Sequence, residues 1–253
     1  MNLLFTVCAR AGSKGVKNKN IREFLGYPLI YYTLSCIDLF KKKYNSEFSN
    51  IDVCISSDGG EIIKTAKDFM NDLYIIKRPD NLSQDTSSKA LVIKHALNEV
   101  EKNLSKRYDY IIDLDVTSPI RTIDDVYNSL DIKIKRKDLD VVFSVVDSRR
   151  NPAFNMIEEL SDGSVKKIIE SDFTARQQVK KSYDMNASIY VYSRDILVNS
   201  EFSNIFDANC GMYKMRDTGI LDIDCENDFE LMSVIADYLF DKDEDLRLIK
   251  ENI

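Results

Sequence analysis

Two groups of residues in this chain are suited to holding a phosphate ligand. The first is Arg10-Ala11-Gly12-Ser13-Lys14-Gly15-Val16-Lys17-Asn18-Lys19-Asn20, directly after the apolar run Leu3 to Ala9. It brings Arg10, Lys14, Lys17 and Lys19 together, Arg22 follows, and no acid occurs before Glu23. Gly12 and Gly15 permit positive φ and close backbone approach, so loop N–H groups can converge on phosphate oxygens while the cations neutralise them. In a chain of formal net charge -7, a local positive field of this kind points to a polyanion, and a nucleoside triphosphate is the expected ligand.

The second group is Asp222-Ile223-Asp224. Alternate residues of extended chain share a face, so the two carboxylates can share a divalent cation. Facing a triphosphate, that cation is expected to be Mg²⁺, which takes one or two carboxylates and completes its shell with phosphate and water. Asp224 equally suits the cap of a following helix. Asp113 and Asp115 repeat the spacing at the carboxyl end of another predicted strand, where α/β folds place ligands, and Thr117-Ser118-Pro119-Ile120-Arg121 follows as a turn suited to base or sugar recognition. Neither GxxxxGK[ST] nor GxGxxG is present. The sole histidine, His95, has no HExxH or GxSxG context and reads as structural or surface, which leaves the chemistry to carboxylates, lysines, arginines and metal.

The elements that must position these groups alternate. Strands are predicted at Leu3 to Ala9, Ile51 to Ser56, Tyr74 to Ile76, Tyr110 to Leu114 and Leu139 to Val146. Helices are predicted at Leu29 to Phe40, Glu61 to Met70, Ser87 to Asn103 and Asp124 to Lys135, the last behind the capping residue Thr122. This order predicts an α/β fold with a mostly parallel sheet covered on both faces. After Arg149 the rhythm changes: Phe154 to Glu158, Val165 to Ile169 and Ser188 to Tyr192 read as strands without long helices between them. An inserted hairpin lobe over 150–187 is therefore expected within a single 1–253 domain. A final helix is predicted over about Asn227 to Phe240, with Asp241 to Asp245 as a solvated tail. The acidic balance argues against a general nucleic-acid surface, and no apolar run reaches bilayer length. The five cysteines are widely spaced and read as reduced thiols, and the cytoplasm is the expected compartment.

The ordered set ARAGSKGVKNKN, Gly26-Tyr27-Pro28-Leu29, Ser56-Ser57-Asp58, Arg78-Pro79, Asp85-Thr86-Ser87-Ser88, Thr117 to Arg121, Arg176-Gln177, Asn186 to Tyr190 and Asp222-Ile223-Asp224 resembles the acylneuraminate cytidylyltransferases, or CMP-sialic acid synthetases, over essentially the whole chain. The resemblance implies a CTP-dependent enzyme that makes a CMP-activated nine-carbon acidic sugar and pyrophosphate, with a Rossmann-like core and a lobe that forms a homodimer. It implies that Arg10, Ala11, Gly12, Ser13, Lys19, Asn20 and Ser88 bind CTP. It places Mg²⁺ on Asp222 and Asp224, and puts Arg10, Lys19 and Asp222 in the catalytic step. The sugar pocket would hold Asp115, Arg176, Gln177, Asn186 and Tyr190.

Departures from the sialate pattern bear on the sugar. LQPTSPLR appears as LDVTSPIR, which puts Asp115 where a glutamine contacts the sugar, and NGAIY appears as NASIY. With Arg149 to Pro152 and Tyr183 to Met185, these variants are more similar to the bacterial branch acting on N,N'-diacetyllegionaminic acid, with N-acetylneuraminic acid next. Two other classes share parts of the pattern. A metal-dependent glycosyltransferase would also carry an Asp-x-Asp pair, but would hold its donor diphosphate through the metal rather than a basic glycine loop. A non-catalytic nucleotide-binding module would need no carboxylate pair.

Overall fold

The computed structural model describes residues 1–199, 202–216 and 222–253. Strand β1 (Asn2–Cys8) leads through two short strands, β2 (Glu23–Phe24) and β3 (Tyr27–Pro28), into helix α1 (Leu29–Tyr44). There follow β4 (Asn50–Ser57), α2 (Gly60–Phe69), β5 (Tyr74–Lys77), α3 (Lys89–Leu104), β6 (Tyr110–Leu114), α4 (Ile123–Lys135) and β7 (Val141–Asp147). The chain then forms β8 (Ile157–Glu159), β9 (Val165–Lys167), β10 (Tyr183–Ser193), α5 (Arg194–Val198), β11 (Cys210–Lys214), α6 (Glu226–Lys242) and α7 (Glu244–Glu251).

Seven strands form one sheet in the order β11-β7-β10-β6-β1-β4-β5. Only β10 runs antiparallel to its neighbours, and the remaining pairs are parallel. The predicted mostly parallel α/β sheet is therefore present. The pattern of β1 shows why both faces must be covered: Leu3, Phe5 and Val7 pack into the core beneath α1, α2, α4 and α6, whereas Leu4 joins Ile93, Leu97 and Tyr192 on the other side. Strand β1 lies between β4 and β6, so the chain leaves it in one direction and returns through α3 to its other side. This reversal opens a crevice beyond the carboxyl ends of β1 and β6, where open α/β sheets bind ligands.

Local chemistry sets the element ends. Thr122 and Asp125 form a reciprocal capping box at α4, with Asp125 N–H donating to Thr122 Oγ1 at 3.1 Å and Thr122 N–H to Asp125 Oδ2 at 2.8 Å. Three expectations need correction. The acidic tail is not a solvated end: α6 continues to Lys242, and Asp243 caps α7 by accepting N–H bonds from Asp245 and Leu246, so Leu246 and Ile249 reach the core. The strand expected from Phe154 starts only at Ile157, because the carbonyl of Asn151 collects the N–H groups of Phe154, Asn155 and Met156 in a tight turn. Strand β11 was not expected; it is a short edge strand containing Gly211, with no clean apolar alternation. Between β7 and β10, β8 and β9 pair with each other as a hairpin separate from the main sheet.

Candidate active site

A cleft of about 370 Å³ opens at the crevice. Arg10, Ser13, Lys14, Gly15, Lys19 and Asn20 line one wall, and Asp115, Thr117, Asp222 and Asp224 the other. The basic loop and the distant acidic pair thus share one cavity. Lys19, mostly buried, donates through Nζ to the carbonyl of Ile223 and lies 3.7 Å from Asp224 Oδ1. Asn20 Nδ2 donates to the Arg10 carbonyl at 3.0 Å and closes the base of the loop. The loop amides are not all free for a ligand, because Ala11 N–H already donates to Asp58 Oδ1 at 2.7 Å. Gly12 has φ +74°, the left-handed backbone its position in the loop demands.

The acidic wall is built by β6 and its loop. Asp113 is fully buried; Oδ1 accepts the Thr6 hydroxyl at 2.7 Å, and Oδ2 pairs with Lys89 at 2.9 Å. Lys89 also pairs with Asp115 Oδ2 at 2.6 Å and sits 4.7 Å above the ring of Tyr190. Thr117 places its hydroxyl between Asp115 Oδ1, at 2.9 Å, and Asp222 Oδ1. Burial opposes charge on Asp115, but the Lys89 ammonium and the Thr117 hydrogen bonds outweigh it and hold this carboxyl well below the usual range. Asp222 moves the opposite way: burial first, then the charges of Asp115 and Asp224, raise it, against the Thr117 hydrogen bond and Lys19. The backbone beneath is stapled by Arg121, whose buried guanidinium donates to the carbonyls of Asp115 and Ser188 and to Thr33 Oγ1.

Two cations absent from the sequence-derived candidate set belong to this cleft. Arg78 bonds Ser56 through Nε and Nη2, and among the described residues no carboxylate is paired with it. Lys89 stands in the first turn of α3, where the helix dipole disfavours a cation; that misfit was its signal in the sequence. Asp85 pairs with Arg10 at 2.5 Å and with Lys14, so a carboxylate stands over the basic loop.

The remaining candidates divide. Tyr190 lies beneath Lys89 at the acidic wall, and Asn186, also on β10, accepts the hydroxyl of Ser144 on β7 at 2.6 Å. Ser88 does not line the cleft; its hydroxyl donates to the Ser203 carbonyl, while Ser87 faces the cavity. Arg176 and Gln177 line a different cavity, of about 420 Å³, in the region between β7 and β10, together with Arg150, Lys180 and Lys181. Asp222 and Asp224 are described without strand structure, and residues 217–221 before them lie outside the described residues.

The sequence matches the family model described as "Cytidylyltransferase" over residues 4–251. The chain belongs to this family. It is a nucleotidyltransferase, which accounts for a cationic loop and a carboxylate wall meeting at a sheet's switch point. The chain is 37% identical to "Post-translational flagellin modification protein B" of Campylobacter coli, over 92% of this chain and 94% of that protein. It is 34% identical to "CMP-N,N'-diacetyllegionaminic acid synthase" of Campylobacter jejuni subsp. jejuni, with the same coverage of both chains. Among solved structures it is similar to a CMP:2-keto-3-deoxy-manno-octonic acid synthetase complexed with CTP, with a TM-score of 0.66, 14% identity, and coverage of 94% of this chain and 99% of that one; this likeness concerns the fold. The family membership removes the glycosyltransferase and non-catalytic readings.

Proposed function

We propose that this cytidylyltransferase couples CTP to a nine-carbon acidic sugar, N,N'-diacetyllegionaminic acid before N-acetylneuraminic acid, and releases pyrophosphate. The single observation that carries the reading is the meeting of Lys19 with the Ile223–Asp224 segment inside one cleft. The sugar preference is supported by 34% identity to the C. jejuni legionaminic acid synthase, against 26% to the N-acylneuraminate cytidylyltransferase of Escherichia coli.

In the reaction the anomeric hydroxyl of the sugar attacks the α-phosphorus of CTP, and pyrophosphate leaves in line. Such transfers depend on positioning and charge neutralisation rather than on a covalent protein intermediate. Arg10, Ser13, Lys19 and Asn20, with the backbone of Ala11 and Gly12, are assigned to the triphosphate, and Ser88 supports the nucleotide wall from behind. Arg10 and Lys19 neutralise charge that builds on the leaving pyrophosphate.

Asp222 and Asp224 are assigned to Mg²⁺. The fit lies in the donor set: Asp222 is crowded by Asp115 and Asp224 in a half-buried site, an arrangement relieved by a hard cation with oxygen ligands. Bound there, Mg²⁺ would supply charge neutralisation at phosphorus and acidify the attacking hydroxyl. Asn186 and Tyr190 are assigned to the sugar. The cationic cavity with Arg176 and Gln177 suits the sugar's carboxylate. For both sets to touch one sugar, that cavity must meet a cleft. The exposed apolar residues Ile157, Val165, Ile168 and Ile169 beside it suit packing against a second copy, which supports a homodimer.

The test is pyrophosphate release from CTP and Mg²⁺ with legionaminic, sialic, pseudaminic and Kdo-type acids offered separately. The N,N'-diacetyllegionaminic acid should give the highest kcat/KM. A preference for the eight-carbon acid would remove the nine-carbon assignment.

A further inference from the structure

We propose that Asp115 is a positioning residue for Asp222 rather than a sugar contact, with Lys89 as its anchor and the Thr117 hydroxyl as the link between the two carboxylates. This deepens the reading of Asp222 given above and rests on it.

The argument is one of satisfied valences. Asp115 Oδ2 is held by Lys89 at 2.6 Å, and Oδ1 accepts both the Thr117 N–H at 3.1 Å and the Thr117 hydroxyl at 2.9 Å. Its backbone is tied as firmly: the N–H donates to the Ser188 carbonyl at 3.1 Å, and the carbonyl accepts from Arg121 and from Thr33 Oγ1. Turning this carboxylate toward a sugar would break several of these bonds and leave Lys89 facing the buried Asp113 alone. Asp222 has the opposite character. Among the described residues, the Thr117 hydroxyl is the one hydrogen-bond donor to its carboxylate. The single Thr117 hydroxyl proton lies between the two carboxylates as a shared donor and keeps their oxygens in register about one oxygen atom. The placement of Asp222 therefore follows from Thr117, and that of Thr117 from Asp115 and Lys89. Groups that orient a metal-facing carboxylate in this way typically govern cation affinity by about ten- to a hundredfold.

The test compares Thr117→Val, which keeps the shape and loses the hydroxyl, with Thr117→Ser, which keeps the hydroxyl, and adds Asp115→Asn as a second lesion. Mn²⁺ is titrated into each full-length protein without sugar and followed by the EPR signal of the free ion; kcat and the sugar KM are measured in parallel. Thr117→Val and Asp115→Asn should each weaken Mn²⁺ binding about tenfold and lower kcat, with the sugar KM within about twofold of wild type. Thr117→Ser should restore both quantities. Unchanged Mn²⁺ affinity in Thr117→Val, no rescue by Thr117→Ser, or absence of Mn²⁺ binding by the wild type overturns the inference. So does a sugar KM that rises several-fold while Mn²⁺ affinity holds, since Asp115 would then be serving the sugar. Wild-type protein that binds Mn²⁺ but activates no acid sugar would instead remove the substrate assignment.

Discussion

Gly15 lies against the carbonyl of Asp224 so closely that a methyl group at residue 15 would overlap the carbonyl oxygen. The phosphate-side loop and the acidic segment thus touch through their backbones as well as through Lys19. Gly15→Ala should push the two walls apart, and since the obstacle is main chain, no rotamer change can absorb it. Turnover is expected to fall at least tenfold, with a stability loss of about 1–3 kcal/mol typical of overpacking. Steady-state pyrophosphate release beside urea unfolding checks this; unaltered turnover would show that the contact does not set the cleft.

Asp222 trades stability for function. Its carboxyl is raised in the folded chain by burial and by the charges of Asp115 and Asp224. For an acid, a raised value means that the fold disfavours the charged form. The penalty is absent below the unfolded pKa, about 3.9, and complete above the folded one. Asp222→Asn should therefore melt higher than wild type at pH 8, with the gain vanishing near pH 4, while turnover drops about a hundredfold. A lower melting temperature for Asp222→Asn at pH 8 would contradict the assigned strain.

The sequence was most legible where apolar periodicity and chemistry coincided. The buried run of β1, the strand Tyr110–Leu114 and the Thr122 cap all lie where the pattern puts them, because each is determined by its own neighbours. The meeting of Lys19 with the Ile223–Asp224 segment was readable only as two motifs of complementary charge, since nothing local encodes a contact between Lys19 and Ile223, 204 positions apart in the chain. Lys89 lay within the predicted helix Ser87 to Asn103, and its carboxylate partners, Asp113 and Asp115, are not readable from that helix alone because they lie on another element. Strand β11 was missed because an edge strand packs on one side and needs little apolar alternation.

Asp85 competes with the ligand for the basic loop. Its carboxyl is held below the usual range by hydrogen bonds from Lys14 and Arg10, the two cations a triphosphate would meet there. Asp85→Asn should release both and tighten CTP binding several-fold at low salt, with the gain shrinking as ionic strength rises because these groups are exposed. Isothermal titration at about 20 mM and about 500 mM NaCl, between which the Debye length falls from about 20 Å to about 4 Å, checks this. Weaker CTP binding in the variant would mean that Asp85 organises the loop instead of occupying it.

The hairpin of β8 and β9 exposes Ile157 and Val165, each more than half accessible, with Ile168 and Ile169 beside them. If a second copy covers this face, Ile157→Asp with Val165→Asp should yield monomers in light scattering at about the concentrations where wild type is dimeric. Because the hairpin stands apart from the main sheet, CTP affinity should stay near wild type. Turnover with sugar should fall, since the Arg176 cavity would no longer be presented to a cleft. A wild-type protein that is monomeric throughout would remove the second copy from the model of the site.

Ala187 carries a strain that its sequence makes visible. It occupies the glycine position of the NGAIY pattern, and its φ is +51°, in the left-handed region at the irregularity that interrupts β10 between Met185 and Tyr190. A Cβ in this conformation costs roughly 1–2 kcal/mol, whereas glycine there loses about 0.5–1 kcal/mol through the greater freedom of the unfolded chain. Ala187→Gly should thus stabilise the protein by about 0.5–1 kcal/mol, or a rise in Tm of roughly 1–4 °C for a chain of this size. The neighbouring Ser188 carbonyl receives Arg121 and the Asp115 N–H, so the same change relaxes the backbone that supports the acidic wall. Differential scanning calorimetry of Ala187→Gly against wild type measures the first effect. A destabilised variant would show that the alanine methyl makes packing contacts worth more than the strain it imposes.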